Sequence, residues 1–190
     1  MNKTINIKYF NGDMTEIKKV EKGDWIDLRC NGAIKVDTEF AVDETGGLPK
    51  LKRISKKTPV KIEDGLFEDE EGEVKQVKFI RYKKGDFMLI DLGVAMELPI
   101  NNEAYVLPRG SSFKNFAVIQ TNSKGVVDNV YKGDNDIWFF PVLAQKDGFM
   151  MIDERVCQFR VQQKMPNVKF NKVDFLGNKD RSGHGASKTF

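Results

Sequence analysis

The stretch GVVDNVYKGD, residues 125–134, carries the most informative pattern of the chain. Two valines lead to Asp128, and the residues after it include Asn, Tyr, Gly and Asp, which are types that form turns and hairpins. The pattern predicts a β-hairpin with a carboxylate and the ring of Tyr131 at its tip. A carboxylate there can hold a water molecule, and a ring can lie flat against a sugar or a base. A surface hairpin with a solvated Asp is the alternative that this stretch leaves open.

Composition limits the class of protein. The 190 residues, 40% of them hydrophobic, suit one domain with a sizeable core. A net charge of +3 indicates neither nucleic acid nor a membrane surface as a partner. Cys30 and Cys157 lie in apolar runs and are expected to be buried thiols, and together with the single histidine they are too few for a Cys/His zinc site. Because no signal peptide or apolar stretch of membrane-spanning length is present, we expect a soluble, cytoplasmic protein.

Short strand patterns fill most of the chain. Apolar and polar residues alternate over residues 4–10, and a second strand is predicted at 25–30. Further short apolar runs, separated by Pro, Gly or Asn, predict strands at 87–90, 93–98, 104–107, 116–120, 137–143 and 155–162, with one helical turn at 112–116. Many short strands at close spacing predict an all-β fold, a jelly roll or distorted β-barrel.

Two segments differ from this β pattern. Residues 32–79 contain a basic block followed by an acidic block, and they predict a small β insertion within a domain of residues 1–176. Further strands are predicted at 59–62 and 74–82 in this part of the chain, and a solvated surface loop is the alternative for the whole segment. Residues 177–190 have almost no apolar side chains, so they are either disordered or an extended arm that folds onto a ligand or a neighbouring subunit.

Five separated stretches resemble, in order, the five motifs of the trimeric dUTP pyrophosphatases (dUTPases). The resemblance is closest to the branch of Bacillus-type bacteria and their phages, in which the first motif reads GDWIDLR and an aromatic run ending in WFFP follows the third. It covers nearly the whole chain outside residues 32–79. It implies a homotrimer that hydrolyses dUTP to dUMP and pyrophosphate with Mg²⁺, in the host cytoplasm if the protein is phage-encoded. The five stretches are GDWIDLRC (23–30), PRGSSFKNF (108–116), GVVDNVYKGD (125–134), DERVCQF (153–159) and RSGHGAS (181–187).

The resemblance implies roles for the third motif and its surroundings. Asp128 matches the carboxylate that positions and deprotonates the water attacking the α-phosphate. Tyr131 matches the ring under the deoxyribose, which leaves no room for a ribose 2′-OH. Asn122 and the backbone at Gly125 and Val127 match the groups that read the edge of uracil, where a wrong exocyclic group would leave polar atoms unpaired.

The resemblance also implies a phosphate-binding side of the site. Arg109, Gly110 and Ser111 belong to the second motif, and Gln158 belongs to the fourth. Asp27 matches the first-motif carboxylate that reaches Mg²⁺ through water, which fits the preference of this ion for oxygen ligands and retained waters.

The fifth motif would supply the arm. Arg181 matches the arginine that binds the γ-phosphate. Gly185 and Ser187 suit an arm that wraps phosphates, because Gly lets backbone N–H groups approach closely, although Ala186-Ser187-Lys188 replaces the Ser-Thr-Gly of the family. His184 stands where many members have a Phe that stacks on uracil. In the branch that this chain resembles, an aromatic after the third motif acts as the lid instead, and Phe139 is the candidate. The alternative is that Phe139 is simply buried in the hydrophobic core. However, neighbouring side chains of a strand point to opposite faces, so only one of Trp138 and Phe139 needs to lie in the core.

Some positions depart from the family pattern. Gly110 stands where the second motif usually has a Ser whose hydroxyl contacts the oxygen between the α- and β-phosphates, a loss that Ser111 or Ser112 would have to offset. A catalytically weak nucleotide-binding or regulatory protein on the same scaffold, acting through a protein partner at the insertion, is therefore the alternative function. A dCTP deaminase shares the fold, but it places a Glu in the strand after the third motif, and residues 137–140 contain none.

Overall fold

The computed structural model describes residues 4–45 and 48–178. Within these ranges the chain forms fourteen strands and one five-residue helix, numbered here in chain order. The elements are β1 Asn6–Tyr9, β2 Ile26–Arg29, β3 Gly32–Asp43, β4 Lys50–Pro59, β5 Ile62–Glu68, β6 Val74–Tyr82, β7 Phe87–Asp91, β8 Val94–Glu97, β9 Asn102–Pro108, α1 Ser112–Phe116, β10 Val118–Gln120, β11 Gly125–Asp128, β12 Phe139–Ala144, β13 Gly148–Met151 and β14 Arg155–Gln163.

Antiparallel pairing joins these strands into four sheets. A five-stranded sheet has the order β10-β12-β7-β3-β4, and a four-stranded sheet has the order β11-β9-β14-β2. The strands β13, β6 and β5 form a third sheet, and β1 pairs with β8. The predicted all-β jelly-roll fold is thus confirmed, and none of the described sheets closes into a barrel.

One hydrophobic core connects the sheets. Burial alternates along β7, β9 and β12, as expected for strands with one face against a core. The fully buried rings of Trp138 and Phe159 meet edge to face with their centroids 5.4 Å apart, which joins the start of β12 to β14 of the other sheet. Cys30 and Cys157 are buried free thiols, as the sequence predicted.

The segment of residues 32–79 consists of strands whose ends belong to the main sheets. The first residues of β3 pair with β7, and Ala33 is buried in the core. After Lys35, β3 pairs only with β4, and the two strands form a long exposed ribbon. Acidic residues of β3 face basic residues of β4, as in the pairs Asp37–Lys56 and Asp43–Lys50, which favours this register.

The prediction of a strand at residues 59–62 is wrong. Pro59 ends β4 and Ile62 begins β5, so the two residues between them form the connection. The basic block before Pro59 is the strand instead, and two of the five basic residues of this strand, Lys50 and Lys56, lie opposite acidic residues of β3. The strand β13 was not predicted from the sequence. The helical turn at 112–116 is confirmed as α1, which is too short to cross a membrane.

Candidate active site

The third motif follows a strand at the edge of a sheet. Strand β11 pairs with β9, whereas β12 pairs with β10 and β7 in the other sheet. The predicted hairpin is therefore wrong: residues 125–134 are a strand and a turn that lead the chain from one sheet to the other. The Tyr131 N–H donates to the carbonyl of Asp128 over 3.0 Å, and its hydroxyl donates to the carbonyl of Ile137 over 3.1 Å. The carboxylate and the ring thus share one turn, as the sequence predicted.

Asp128 presents an ionised carboxylate at the end of β11. Its side chain is 42% exposed, and its Oδ1 accepts hydrogen bonds from the Lys164 ammonium at 3.1 Å and from the Val130 N–H at 3.2 Å. The bond from Lys164, followed by that from Val130, holds the pKa of Asp128 below its usual range. The carboxylate is therefore in its basic form at neutral pH.

Close backbone approach explains the glycine at the start of β11. Gly125 lies opposite Val106 of β9, and a Cβ at this position would lie 3.3 Å from both the Cβ and the carbonyl oxygen of Val106. Val127 packs against the core two residues later. Asn122, in the turn before β11, accepts a hydrogen bond from Gln120 Nε2 at 2.7 Å. The Gln120 side chain, which the sequence did not single out, also donates to the Val106 carbonyl at 3.0 Å and so links this turn to β9.

The first, second and fourth motifs meet at the other end of β9. Asp27 on β2 lies opposite Gln158 on β14. Its carboxylate pairs with Arg109 Nε at 2.8 Å and with Arg155 Nη1 at 3.2 Å. Gln158 Nε2 donates to the Pro108 carbonyl at 3.1 Å. The structure therefore brings Asp27, Arg109 and Gln158 together and adds Arg155, whose only signal in the sequence was its place in the fourth motif.

The second-motif residues lead directly into α1. Gly110 is exposed, and Ser111 is the residue before the helix, with a hydroxyl that makes no capping bond. Ser112 is buried: its Oγ accepts the Arg109 N–H at 2.9 Å and donates to the Val156 carbonyl at 2.8 Å. The expectation that Ser112 could offset the hydroxyl missing at Gly110 is therefore wrong, because this hydroxyl is fully used in holding α1 to β14.

The remaining predicted residues are Phe139 and those of the arm. Phe139 is half-buried on β12, between the buried side chains of Trp138 and Phe140, as alternation predicted. The residues predicted for the arm lie outside the described part of the chain; they are Arg181, His184, Gly185 and Ser187.

The two groups of residues are far apart within one chain. Asp128 lies opposite Glu103 near the start of β9, whereas Arg109 follows Pro108 at its end. Six residue steps separate Glu103 from Arg109, which is about 20 Å along an extended strand. A small substrate group cannot touch Asp128 and Arg109 of the same chain at once.

A metal would find few protein ligands here. Within residues 4–45 and 48–178, no group of three or more His, Cys, Asp or Glu side chains is placed to hold an ion. Both oxygens of Asp27 are paired with arginines, so this carboxylate suits contact with a hydrated ion better than direct coordination.

Comparison with known proteins gives the family. The chain is 43% identical over 185 residues to the SPbeta prophage-derived deoxyuridine 5'-triphosphate nucleotidohydrolase YosS of Bacillus subtilis, covering 97% of this chain and 98% of that protein. This chain belongs to the dUTPase family. The deoxyuridine 5'-triphosphate nucleotidohydrolase of Orientia tsutsugamushi is 32% identical to this dUTPase over 103 residues, which cover 54% of this chain and 68% of the relative. No protein-family model matches this dUTPase.

Solved structures show the same fold at low identity. A mutant of the dUTPase of phage 80alpha has a TM-score of 0.60 at 10% identity, covering 98% of this dUTPase and all of that chain. The dUTPase of Streptococcus mutans has a TM-score of 0.54 at 14% identity, with 86% and 98% covered. A mutant dUTPase of phage phi11 of S. aureus, which coordinates a structural Mg(II) ion, has a TM-score of 0.54 at 8% identity, with 91% and 98% covered.

Proposed function

We propose that this dUTPase hydrolyses dUTP to dUMP and pyrophosphate, with Asp128 as the base that activates the water attacking the α-phosphate. The observation that carries the proposal is the state of this carboxylate. It is ionised and half-exposed, Lys164 and the Val130 N–H hold its Oδ1, and the Asn129 N–H also favours the ionised form, so that the oriented carboxylate can accept a hydrogen bond from a water through Oδ2. A positioned base of this kind contributes about 10²–10⁴-fold to a hydrolytic rate. The proposed location is the cytoplasm.

The edge position of β11 supports the proposed recognition of uracil. Because β11 is the last strand of its sheet, the backbone groups on its outer side are not used in pairing with β9. We infer that these groups, around Gly125 and Val127, bind the polar edge of the base, with Asn122 beside them and Phe139 as a lid. Tyr131 would lie under the deoxyribose. A base with a wrong exocyclic group would leave these donors and acceptors unpaired.

Pyrophosphate release from dUTP in the presence of Mg²⁺ tests this proposal. Asp128→Asn keeps the size of the side chain and removes its basicity. We expect turnover to fall by at least 10²-fold, while a non-hydrolysable dUTP analogue still binds. A variant that turns over dUTP as fast as the unchanged protein would refute the role of Asp128.

The distance along β9 supports a site shared between subunits. Because Asp128 and Arg109 of one chain are about 20 Å apart, we propose a homotrimer in which Asp128 of one subunit faces Arg109, Gly110 and Ser111 of another. Gln158 would bind phosphate beside Arg109. Residues 177–190 would close the site as an arm, with Arg181 on the γ-phosphate and His184, Gly185 and Ser187 around the substrate.

Subunit mixing tests this arrangement. Arg109→Ala and Asp128→Asn are each expected to be inactive alone. In mixed trimers, some sites would combine the intact Arg109 of one variant with the intact Asp128 of the other. We therefore expect activity to return on co-expression. Mixed trimers without activity would refute a shared site.

Magnesium fits the proposed site as an ion carried mainly by the substrate. Its chemistry would be to neutralise the charge of the three phosphates, whose oxygens are its preferred ligands. Asp27, beside Arg109 on the phosphate side, is the protein group that would contact the ion through water.

The β3–β4 ribbon favours a second function, the binding of a protein partner. On one face of its outer part, Phe40, Val42 and Leu51 are 76%, 59% and 80% exposed, and Phe40 lies opposite Arg53. Exposed apolar clusters of this kind mark interaction surfaces. Phage 80alpha dUTPases, whose fold this chain shares, control transfer of virulence genes. We propose that the double variant Phe40→Ser, Leu51→Ser leaves dUTP hydrolysis unchanged and abolishes the binding of a protein partner that recognises this ribbon. A partner bound equally by both proteins would contradict this role.

A further inference from the structure

Lys164 connects the end of β14 to the carboxylate of Asp128. Its backbone N–H donates to the carbonyl of Asn101 over 2.8 Å, which fixes the chain just after the strand. Its ammonium lies 3.1 Å from Asp128 Oδ1 and 3.5 Å from Asn129 Oδ1. The lysine therefore holds both the carboxylate and the next side chain of the turn.

The register of β9 and β11 places a second carboxylate opposite Asp128. Glu103 lies directly opposite Asp128, and like charges in such a pair repel each other. The two carboxylates have different partners: Glu103 accepts the Tyr105 hydroxyl at 2.5 Å, and Asp128 accepts from Lys164. The ammonium of Lys124 lies over the Tyr105 ring, 3.8 Å from its centroid. The hydrogen bond to Tyr105 directs the Glu103 carboxylate along β9, and the bond from Lys164 holds the Asp128 carboxylate on the side of Lys164.

We propose that Lys164 is a positioning residue for hydrolysis: it holds Oδ1 of Asp128 so that Oδ2 faces the attacking water. This inference rests on the proposed role of Asp128 as the base. Lys164 does not touch the substrate in this scheme, and its effect is exerted through Asp128 alone.

The ion pair has a consequence for the dependence of the rate on pH. Lys164, just after β14, donates to Asp128, Glu103 of β9 lies opposite it by register, and the Tyr131 N–H donates to its carbonyl. Because the Lys164 ammonium favours the ionised carboxylate, its removal raises the pKa of Asp128. The base is then protonated at a higher pH, so the acid limb of the kcat–pH profile moves upward.

The test compares Lys164→Met, Lys164→Arg and a matched control, Lys84→Met, in full-length protein. Lys84 is exposed in the turn between β6 and β7. Pyrophosphate release from dUTP with Mg²⁺ is measured from acidic to alkaline pH. For Lys164→Met we expect kcat to fall by about tenfold or more, because misplacement of a reacting group costs up to about 10²-fold. We also expect KM to change little and the acid limb to move to higher pH.

Each outcome bears on the inference. Lys164→Arg keeps a cation that can reach Asp128, and we expect it to recover most of kcat and the original acid limb. If Lys164→Met matches Lys84→Met in kcat and in the acid limb, the role of Lys164 is refuted while the role of Asp128 stands. If the unchanged protein releases no pyrophosphate, or if Asp128→Asn retains full turnover, the proposed function fails and the role of Lys164 fails with it.

Discussion

Gly125→Ala probes how closely β11 approaches β9. The added Cβ would lie 3.3 Å from the Cβ and the carbonyl oxygen of Val106 and 3.5 Å from Gln120 Nε2. The first two contacts are tighter than ordinary van der Waals contact, so β11 or β9 must move by a few tenths of an ångström. Strand β9 cannot move freely, because it is paired along its whole length with β14 on the other side.

The magnitude follows from two opposing effects. Overpacking of a close contact costs about 1–3 kcal/mol. Replacing Gly by Ala restricts the unfolded chain and returns about 0.4–1 kcal/mol. We therefore expect a net loss of about 1 kcal/mol in the free energy of unfolding, which lowers the Tm by about 2–4 °C for a chain of this length. Because Asp128 lies three residues further along β11, we also expect kcat for dUTP to fall several-fold.

Thermal unfolding and pyrophosphate release are the assays, with Gly110→Ala as the control for stability. A Cβ at Gly110 would meet no atom within 4 Å, so this variant should keep or slightly raise the Tm. If Gly125→Ala unfolds at the same temperature as Gly110→Ala and retains full kcat, the close approach of β11 to β9 has no importance for stability or catalysis.

Three further predictions concern other parts of the molecule. Gly110→Ser should raise kcat for dUTP, by up to about 10²-fold, because it adds a donor aimed at charge on the leaving group; an unchanged or lower kcat would remove the argument that Gly110 is a catalytic deficit. Tyr82→Phe should lower the free energy of unfolding by about 1–2 kcal/mol in a urea titration and leave kcat unchanged, because the buried carbonyl of Phe116 loses the hydroxyl that donates to it over 2.8 Å. Deletion of the residues after Gly177 should abolish hydrolysis and leave a trimer in light scattering; a truncated protein with full activity would refute the proposed role of the arm.

Much of the fold could be predicted from local patterns. Short apolar runs bounded by Pro, Gly or Asn identified β7, β9, β12 and β14, each of which buries side chains in the core. The exposed strands were harder to identify. Strand β4 is exposed throughout, so no apolar face marked its bounds within the predicted β insertion, and β13 is too short for a clear period.

The sequence indicated which residues belong to the candidate site, but it did not predict their contacts and distances. Asp27 and Arg155 are 128 residues apart in the chain, and Asp128 and Lys164 are 36 apart. The pattern of apolar and polar residues cannot predict such contacts, because they depend on which strands become neighbours in a sheet. Arg155 and Lys164 were missed for this reason, and Ser112 was misjudged because its burial depends on β14.

Local chemistry was sufficient for two conclusions: an all-β chain, and a carboxylate and a ring on one turn. These follow from neighbours in sequence, since turn residues and short apolar runs act over a few positions. The family was indicated separately, by the resemblance of five ordered motifs to those of dUTPases. Long-range pairing was needed to show that β11 is an edge strand in a different sheet from β12, and that Asp128 and Arg109 lie at opposite ends of β9. The reason is that the register between distant strands is set by packing of the whole core. This packing cannot be predicted from any single stretch of sequence.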